Sequence, residues 1–406
     1  MIIGNVCNHL MIEQFTSEHS DPLRNASARK IWLAEDGDVL VTQRPVSAGL
    51  KAHVQRITGL SPERVTCLDP GDDLETLAAE IREMAGDAPV VLAPYALEHW
   101  VTRLSDLLGG SIDLFDGTPP SPLVDLVYRL NTKSGFREVA AELGLPMPAG
   151  LVAEGRPALE DACRQMLCRH DGVMVKLDRS SNGYGNLPLS REDLPDLSAR
   201  LENHFAGFGS QPDRYMVEEF LAFAALPSVE MTVRTDGLRF DYVCDQRLTP
   251  KAGMATPPAG LERKSLSQLE DAGKIFGAWL HSRGYRGVFD VDGGMLADGS
   301  IVFTETNTRR TAGSHLHDIA RRLLGPEYLS GRVWLSGSAG LAEARPMQVL
   351  EELLDRNGLL YDAGAGLGAV LPVDHVTGER CFYQIFAASI PEASETELRL
   401  QEVLAS

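Results

Sequence analysis

Short apolar runs alternate with helical patterns in the first part of the chain, as far as Phe115. The runs are predicted strands at residues 2–6, 39–42, 65–68, 90–93 and 112–115. Among the helical patterns between them is residues 72–84, whose opening aspartates suit a helix N-terminus. Because strands that alternate with helices pair mainly in parallel, this part is predicted to form an α/β layer.

A change of pattern follows the segment at residues 116–122, Asp-Gly-Thr-Pro-Pro-Ser-Pro, which can sustain neither helix nor strand and marks a predicted domain boundary. Predicted strands then lie at residues 173–177, 215–220, 229–233, 238–244, 287–295, 301–306 and 381–386. Predicted helices lie at residues 123–130, 133–143, 157–168, 191–205, 266–283 and 347–357. This arrangement indicates an α+β region with antiparallel sheets.

Composition excludes several classes of function. The net charge of −19, from 38 basic and 57 acidic residues, argues against a nucleic-acid partner, which needs a basic surface. No apolar run reaches the roughly 18–20 residues that span a membrane, and the N-terminus lacks the basic residues of a secretory signal. Six scattered cysteines without a CxxC pair predict reduced thiols in a cytoplasmic protein.

Two carboxylates and an amide are predicted to converge on a β-hairpin. Asp292 lies on one strand, Asp298-Gly299 is a turn signal, and Glu305 and Asn307 lie two residues apart on the returning strand. Hard oxygen ligands of this kind suit Mg²⁺. The alternative interpretation is a solvated hairpin that carries ordinary surface charges.

Two lysines and a glycine-containing loop form a second candidate group. Lys176 ends an apolar strand, where its charge needs a partner, and phosphate is the natural one. The loop at residues 180–186 (Ser-Ser-Asn-Gly-Tyr-Gly-Asn) can offer backbone N–H groups to a polyphosphate. Lys133 opens a helix and could reach the same phosphates, although it could equally be an exposed helix lysine.

A strand that stops at paired glutamates and continues as Phe-Leu, residues 215–221, offers backbone groups and apolar surface to an adenine ring. Glu230, on the next strand, could accept the hydroxyls of a ribose. Two shorter motifs carry no prediction: Ser27-x-x-Lys30 arises easily by chance, and the pair His315 and His317 is rarely a metal site by itself. The chain contains no P-loop, HExxH or GxSxG motif.

In this order and spacing, the residues resemble the ATP-grasp superfamily, which includes D-alanine–D-alanine ligase and biotin carboxylase. The resemblance covers roughly residues 133–314, with Asp292 and Glu305 separated by 13 positions. It implies an ATP-grasp fold preceded by a Rossmann-like pre-ATP-grasp domain. The implied boundaries are residues 1–120 for the first domain, 121–335 for the ATP-grasp domain with its lid at about 145–222, and 336–406 for a C-terminal segment that completes the substrate site.

The resemblance also implies roles for individual residues, with ATP and Mg²⁺ as cofactors and Mn²⁺ as a substitute metal. Phosphates would be bound by Lys133 and Lys176 under a loop containing Ser181, Asn182, Gly183 and Gly185. Adenine would be held by Glu218, Glu219, Phe220 and Leu221, ribose by Glu230, and magnesium by Asp292, Glu305 and Asn307. An acyl phosphate would be steadied by Arg309, with Arg310 and Arg247 as alternatives.

Within the superfamily, the segments at residues 131–133, 180–186 and 305–310 look like those of the pheganomycin-type peptide ligases. The implied function is ATP-dependent amide formation between a small carboxylate and an amine or peptide, in natural-product biosynthesis. One departure is Asp290, where D-alanine–D-alanine ligase has an arginine. A kinase on the same fold, a nucleotide-binding regulator without turnover, and a homodimer remain open at this point.

Overall fold

The structure, a computed structural model, describes residues 1–11, 17–71, 73–181, 183–206, 208, 213–247, 253–258, 261–374 and 380–405. Its strands are β1 (Ile2–Gly4), β2 (Val39–Thr42), β3 (Thr66–Leu68), β4 (Val91–Pro94), β5 (Ser111–Ile112), β6 (Gly150–Glu154), β7 (Gly172–Leu177), β8 (Leu187–Ser190), β9 (Arg214–Glu219), β10 (Pro227–Arg234), β11 (Gly237–Arg247), β12 (Gly253–Thr256), β13 (Gly287–Met295), β14 (Ile301–Asn307), β15 (Val333–Gly340), β16 (Gly368–Val370) and β17 (Arg380–Ala387).

The α-helices are α1 (Ser17–Ala26), α2 (Ala48–Thr58), α3 (Leu74–Ala85), α4 (His99–Leu108), α5 (Ser121–Leu130), α6 (Lys133–Glu142), α7 (Gly155–Leu167), α8 (Leu197–Phe205), α9 (Arg263–Ser282), α10 (Ala312–Leu324), α11 (Met347–Arg356) and α12 (Ile390–Ala405). Short 3-10 helices span Ser27–Leu33, Pro62–Arg64, Arg191–Asp196 and Tyr328–Ser330.

The first sheet is five-stranded and parallel, in the order β3-β2-β1-β4-β5. This confirms the predicted α/β layer. The strand predicted at residues 112–115 instead ends at Ile112, because Leu114 adopts a left-handed conformation (φ 69°) that breaks the extended chain. Asp73 caps α3 by accepting the backbone N–H groups of Glu75 and Thr76; Asp72, also part of that prediction, lies outside the described residues.

The second sheet is four-stranded and antiparallel, in the order β6-β9-β7-β8. It packs with α7 and α8 around a hydrophobic core of its own, drawn from residues between Ala153 and Val217. The helix predicted at residues 191–205 is divided: a 3-10 helix containing Pro195 comes first, and α8 begins at Leu197. We call this four-stranded unit the lid sheet.

The third sheet has eight strands in the order β14-β13-β10-β11-β12-β15-β17-β16, all paired antiparallel. The boundary predicted between residues 335 and 336 falls inside β15, which pairs with both β12 and β17. The C-terminal strands therefore extend the same sheet, because their backbone groups complete its hydrogen-bond ladder.

Two further hydrophobic cores connect the first sheet with the rest of the chain. One joins Trp32 and Leu50 to Leu354, Phe386 and other residues of the C-terminal part. The other joins residues of the first sheet to α5, α6, α9 and the strands β10 and β13. In the described part of the chain, no helix is both long enough and apolar enough to cross a bilayer, and all six cysteines are free.

Candidate nucleotide and metal site

The hairpin of β13 and β14 brings the predicted metal ligands together. Asp292 pairs directly with Glu305, and Asp290 pairs with Asn307, so all four side chains share one face of the eight-stranded sheet. The Asn307 amide nitrogen donates to Asp290 Oδ1 at 2.9 Å and to Asp292 Oδ2 at 3.3 Å. On the other side, Gln246 Nε2 donates to Asp292 Oδ1 at 2.9 Å.

Negative charge is in excess around Asp292 on this face, and a bound cation would balance it. Burial, followed by the negative charges of Asp290 and Glu305, raises the pKa of Asp292 well above its usual range. Burial also acts to raise the pKa of Glu305, but Lys133 and Lys176 outweigh it and hold that pKa below its ordinary value. A cation bound next to a buried carboxylate that has carboxylate neighbours would favour its charged form.

The donor set therefore fits Mg²⁺: Asp292 and Glu305 supply carboxylate oxygens, and Asn307 supplies an amide oxygen. That amide oxygen at present accepts a hydrogen bond from Arg309. Among the described residues, no group of three or more carboxylate, histidine or cysteine side chains is arranged to hold a metal. The predicted set has two carboxylates, so phosphate and water oxygens would complete the coordination.

Lys133 lies at the start of α6 and faces the hairpin. Its ammonium is 3.2 Å from Glu305 Oε2 and donates to the carbonyl oxygen of Ser180 at 3.2 Å. The helix is anchored by Asp178, whose carbonyl accepts the Lys133 N–H at 2.8 Å and whose carboxylate accepts the Ser134 N–H at 2.7 Å. Lys133 is only 7% exposed, so it is not the exposed helix lysine of the alternative interpretation.

Lys176 lies on β7 of the lid sheet and contacts the carboxylate of Glu218. Its Nζ is 2.6 Å from Glu218 Oε2, while Arg137 NH1 is 3.2 Å from Glu218 Oε1. Gly150 permits this approach, because a Cβ there would come within 3.1 Å of the Arg137 guanidinium carbon. The buried carboxylate of Glu218 is thus occupied by two cations, which leaves backbone groups, rather than this side chain, for an adenine edge.

The loop after β7 has the conformation of a glycine turn. Gly183 and Gly185 have φ angles of 71° and 77°, which side chains with a Cβ rarely adopt. Tyr184 packs against Phe208, with ring centroids 4.9 Å apart. Ser181 lies beside them in the same loop, and the predicted residue Asn182 lies outside the described residues.

The predicted adenine segment follows β9. The Phe220 N–H donates to the carbonyl of Gly172 at 3.0 Å, and the phenyl ring is 49% exposed. Leu221 is half-buried beside it. Glu219 turns away to His170, with 3.1 Å between Oε1 and Nδ1. The exposed aromatic face of Phe220 therefore offers more surface to an adenine ring than the paired glutamates do.

Only one of the three predicted arginines is joined to the hairpin. Arg309 is 6% exposed and donates to the Asn307 amide oxygen and, at 3.0 Å, to the Arg310 carbonyl. Arg310 donates a hydrogen bond to the carboxylate of Asp318 in α10. Arg247 follows Gln246 on β11 and so faces the opposite side of the sheet, where it donates two hydrogen bonds to Glu397 at 2.8 and 2.7 Å. Its role at an acyl phosphate stays a prediction.

The comparisons with known proteins agree with this architecture. The Pre ATP-grasp domain family matches residues 27–110. Biotin carboxylase from Campylobacter jejuni is similar with a TM-score of 0.59 and 14% identity, over 99% of this chain and 90% of that one. The chain has the ATP-grasp fold. Carboxyaminoimidazole ribonucleotide synthase from Aspergillus clavatus is similar with a TM-score of 0.56 and 15% identity, over 92% of this chain and 99% of that one.

N5-carboxyaminoimidazole ribonucleotide synthetase from Thermus thermophilus shares this ATP-grasp fold, with a TM-score of 0.56 and 14% identity, over 85% of this chain and 89% of that one. No curated protein matches the chain in sequence. Identities this low concern the fold and leave the substrates of this chain open.

Glu230, for which ribose binding stays a prediction, contacts the start of α10. It pairs with Asp290 and accepts hydrogen bonds from Ser314 at 2.5 Å and Thr311 at 3.3 Å, at the start of α10. The segment after the lid sheet joins β13 at Met295, five residues from Asp290, or about 16 Å along a strand. Burial, followed by the charge of Asp241, raises the pKa of Glu230 to about 8. These contacts do not favour ribose binding.

Two residues that contact this candidate site, Arg137 and Gln246, were not singled out in the sequence analysis, whereas Asp290 was noted there. Arg137 is four positions after Lys133, which places both on one face of α6, so helical spacing could have indicated it. Gln246 carries no such signal, because only the strand pairing brings it to Asp292. Asp290 accepts both the backbone and the side-chain N–H of Asn307, at 2.8 and 2.9 Å, and so orients that ligand.

Proposed function

We propose that this ATP-grasp protein is a ligase that activates a carboxylate with ATP as an acyl phosphate and joins it to an amine, releasing ADP and phosphate. The observation that carries the proposal is the continuity of one polar face of the eight-stranded sheet. Asp292 and Glu305 lie opposite each other, Lys133 contacts Glu305, and Arg309 contacts Asn307. Phosphate-binding cations, metal ligands and an arginine for the reacting carboxylate thus lie side by side.

In this proposal ATP binds between the lid sheet and the eight-stranded sheet. Phe220 and the backbone edge after β9 hold adenine, and the glycine loop covers the phosphates. Lys176 and Lys133 supply positive charge, each of them exchanging its present carboxylate contact for a phosphate oxygen. Asp292, Glu305 and Asn307 would hold magnesium, which would supply neutralisation of the phosphate charges.

The residues of this chain act mainly by position and charge. The substrate carboxylate is held by the Arg309 guanidinium, whose planar fork can form two hydrogen bonds with a carboxylate or a phosphoryl group. A carboxylate oxygen attacks the γ-phosphorus in line and ADP leaves. The amine then attacks the acyl carbon, phosphate leaves, and Arg309 stabilises the developing oxyanion. The closed lid excludes water from the acyl phosphate.

The substrate class in this proposal is an amino acid or peptide, in the biosynthesis of a natural product. What supports it is the likeness of residues 180–186 and 305–310 to the pheganomycin-type peptide ligases. The same fold serves other chemistries, so this finer assignment rests on the motif sequences alone.

Product analysis tests the reaction type. The protein is incubated with MgATP and pairs of carboxylates and amines, and ADP, AMP, phosphate and coupled product are measured. A ligase gives ADP, phosphate and an amide, and needs both substrates. A kinase gives ADP with a stable phosphorylated product and no need for amine. AMP with pyrophosphate would indicate adenylation and contradict the proposal, as would nucleotide binding without turnover for any pair. Glu305→Gln serves as the inactive control.

A further inference from the structure

Buried polar atoms without hydrogen-bond partners gather where the first sheet's unit meets the start of α10. Within the described ranges, Lys30 Nζ, Arg29 Nε and Arg309 Nε are all buried and lack such a partner. Lys30 is the extreme case, since its side chain is 1% exposed and its ammonium has no partner at all. Buried polar groups in folded proteins are nearly always paired, so an orphaned cluster indicates a missing polar ligand.

Tyr95 connects these cations. The Lys30 ammonium lies 4.8 Å from the centre of the Tyr95 ring, and the Arg29 guanidinium carbon lies 5.9 Å from it. The Tyr95 carbonyl accepts the backbone N–H of Arg310 at 3.0 Å. Tyr95 also lines a small cavity of about 50 Å³ together with Arg309 and Arg310. The orphaned lysine therefore lies beside the place where the substrate of the proposed reaction is held.

Positive charge exceeds negative charge around Lys30. Burial lowers the pKa of Lys30 well below its usual range, and the cations Arg310 and Arg29 lower it further, against Asp318 and Glu230. Asp318 is already bonded to Arg310, and Glu230 accepts hydrogen bonds from the start of α10. In the part of the chain that the structure describes, no carboxylate forms a salt bridge with Lys30.

His315 adds no negative charge. Burial, followed by the charges of Arg29 and Lys30, holds its pKa well below the ordinary value, so the imidazole is neutral at pH 7. Lys30 and His315 thus lie close together. They belong to the two motifs that the sequence alone could not interpret, Ser27-x-x-Lys30 and His315-Leu316-His317.

A purely structural role for Lys30 is poorly supported. A lysine that only fills space under Tyr95 could be replaced by methionine, which fills similar volume without an amine to desolvate. Burying an unpaired polar group costs about 1–3 kcal/mol, while a cation–π contact contributes roughly 0.5–2 kcal/mol. The amine thus brings no clear gain to the ligand-free protein.

We infer that Lys30 and Arg29 form a binding site for a second carboxylate of the substrate pair, separate from the carboxylate that is activated at Arg309. The inference rests on the proposed ligase function for the identity of the ligand. Two sources share this chemistry. The carboxylate belongs either to an acyl donor with two acid groups or to the C-terminus of an amino acid or peptide that supplies the amine.

The location supports a second group rather than the reacting one. The charges that act on Lys30 are those of Arg310, Arg29, Asp318 and Glu230. Three of these residues, Arg310, Asp318 and Glu230, line a larger cavity of about 250 Å³, whose lining does not include Lys30 or Arg29 themselves. That volume equals about eight waters at ~30 Å³ each, enough for the unreactive end of a small substrate. Glu305, at the metal site, responds instead to Lys133, Lys176 and Arg309.

Matched pairs of probes test the site without turnover. Glutarate is compared with butyrate, and trialanine with trialanine amide, by calorimetric titration of the full chain. Within each pair only the second carboxylate differs. In the wild-type protein, one of the two pairs should show at least ~10-fold tighter binding of the free acid, as expected for one charge-assisted hydrogen bond. The pair that discriminates identifies the source.

The variant Lys30→Met should abolish this discrimination while the protein remains folded, with a melting temperature equal to or above that of the wild type. Arg29→Gln is a second variant that should weaken it, and Lys274→Met, at an exposed lysine of α9, should leave it unchanged.

The inference is overturned if neither pair discriminates in the wild-type protein, or if Lys30→Met discriminates as the wild type does. Its failure differs from that of the ligase proposal. Discrimination that depends on Lys30, without ADP release for any pair, would keep the anion site and reject the ligase. ADP release with normal substrate preference in Lys30→Met would do the reverse.

Discussion

Replacing Lys176 by methionine tests the nucleotide site without knowledge of the acid or the amine. Methionine keeps the length and much of the apolar stem of lysine but cannot bind a phosphate. In the ligand-free protein, Lys176 Nζ contacts Glu218 Oε2 at 2.6 Å, and its side chain is 14% exposed. The lysine is therefore a mostly desolvated cation whose contribution should be measurable in both folding and binding.

The two effects have different expected sizes. For folding, Glu218 keeps its second cation, Arg137 at 3.2 Å. A fully unpaired buried charge would cost about 3–5 kcal/mol of stability. Because Glu218 stays paired, the variant should lose only about 1–2 kcal/mol of unfolding free energy. For binding, one charge-assisted hydrogen bond to phosphate is lost, worth roughly 1.5–3 kcal/mol. That converts to an affinity for ATP lower by about 10- to 150-fold.

The assay is calorimetric titration with a non-hydrolysable ATP analogue and Mg²⁺, alongside thermal unfolding of the same samples. Lys274→Met is the matched control, because that lysine is exposed and lies on α9, where its loss should change neither measurement. An affinity within about two-fold of the wild type would refute the phosphate role of Lys176. A large loss of stability with unchanged affinity would show instead that Lys176 serves only to neutralise Glu218.

Three further outcomes follow from the site. Glu305→Gln should lower the ligation rate by roughly 10²-fold or more while the fold is kept, measured as ADP release; near-normal activity and magnesium dependence would contradict the metal role. Arg309→Lys should lower ligation by about 10²–10³-fold with near-normal ATP affinity. Arg247→Met should lose about 3–5 kcal/mol of stability, with little loss of rate in the folded fraction, because the buried carboxylate of Glu397 loses its salt bridge and keeps the hydrogen bond from Tyr383. If Arg247→Met lost the ligation rate and Arg309→Lys lost only stability, Arg247 would be the residue that holds the acyl phosphate. Because folding raises the pKa of Glu230 from 4.5 to about 8, the folded state holds a proton that the unfolded chain releases in this window. The free energy of unfolding of the wild-type protein should therefore fall as the pH rises, by up to about 1.4 kcal/mol per pH unit. Glu230→Gln should make this decline less steep, measured by chemical denaturation at a series of pH values. Equal pH slopes for the two proteins would refute the raised pKa of Glu230.

Local patterns predicted the two strands of the metal-ligand hairpin closely. The strand expected at residues 287–295 coincides with β13, and β14 extends one residue beyond its expected end. In the C-terminal part, however, β15 and α12 were not expected. Whether such a segment joins a sheet depends on a partner strand distant in sequence, here β12 for β15, and no local periodicity carries that information.

The same distinction applies to the site. Asp292, Glu305 and Asn307 were predictable because a single hairpin contains them, so strand alternation fixes their common face. The pairing of Arg247 with Glu397 was not predictable, because nothing in the strand that contains Arg247 indicates a partner in α12. Lys30 was unpredictable for the same reason, since its surroundings come from a 3-10 helix, β4 and α10, which only the tertiary packing brings together.

The separate hydrophobic cores also determine the order in which parts of the chain can fold during synthesis on a ribosome. The lid sheet draws its core from a single continuous stretch, between Ala153 and Val217, so it can complete its packing midway through synthesis. The first sheet cannot, because Trp32 and Leu50 share a core with Leu354, Phe386 and Leu404 near the end of the chain. The first sheet is thus synthesised well before the residues that bury it. A nascent chain stalled before α12 would expose that apolar surface until α12 is made.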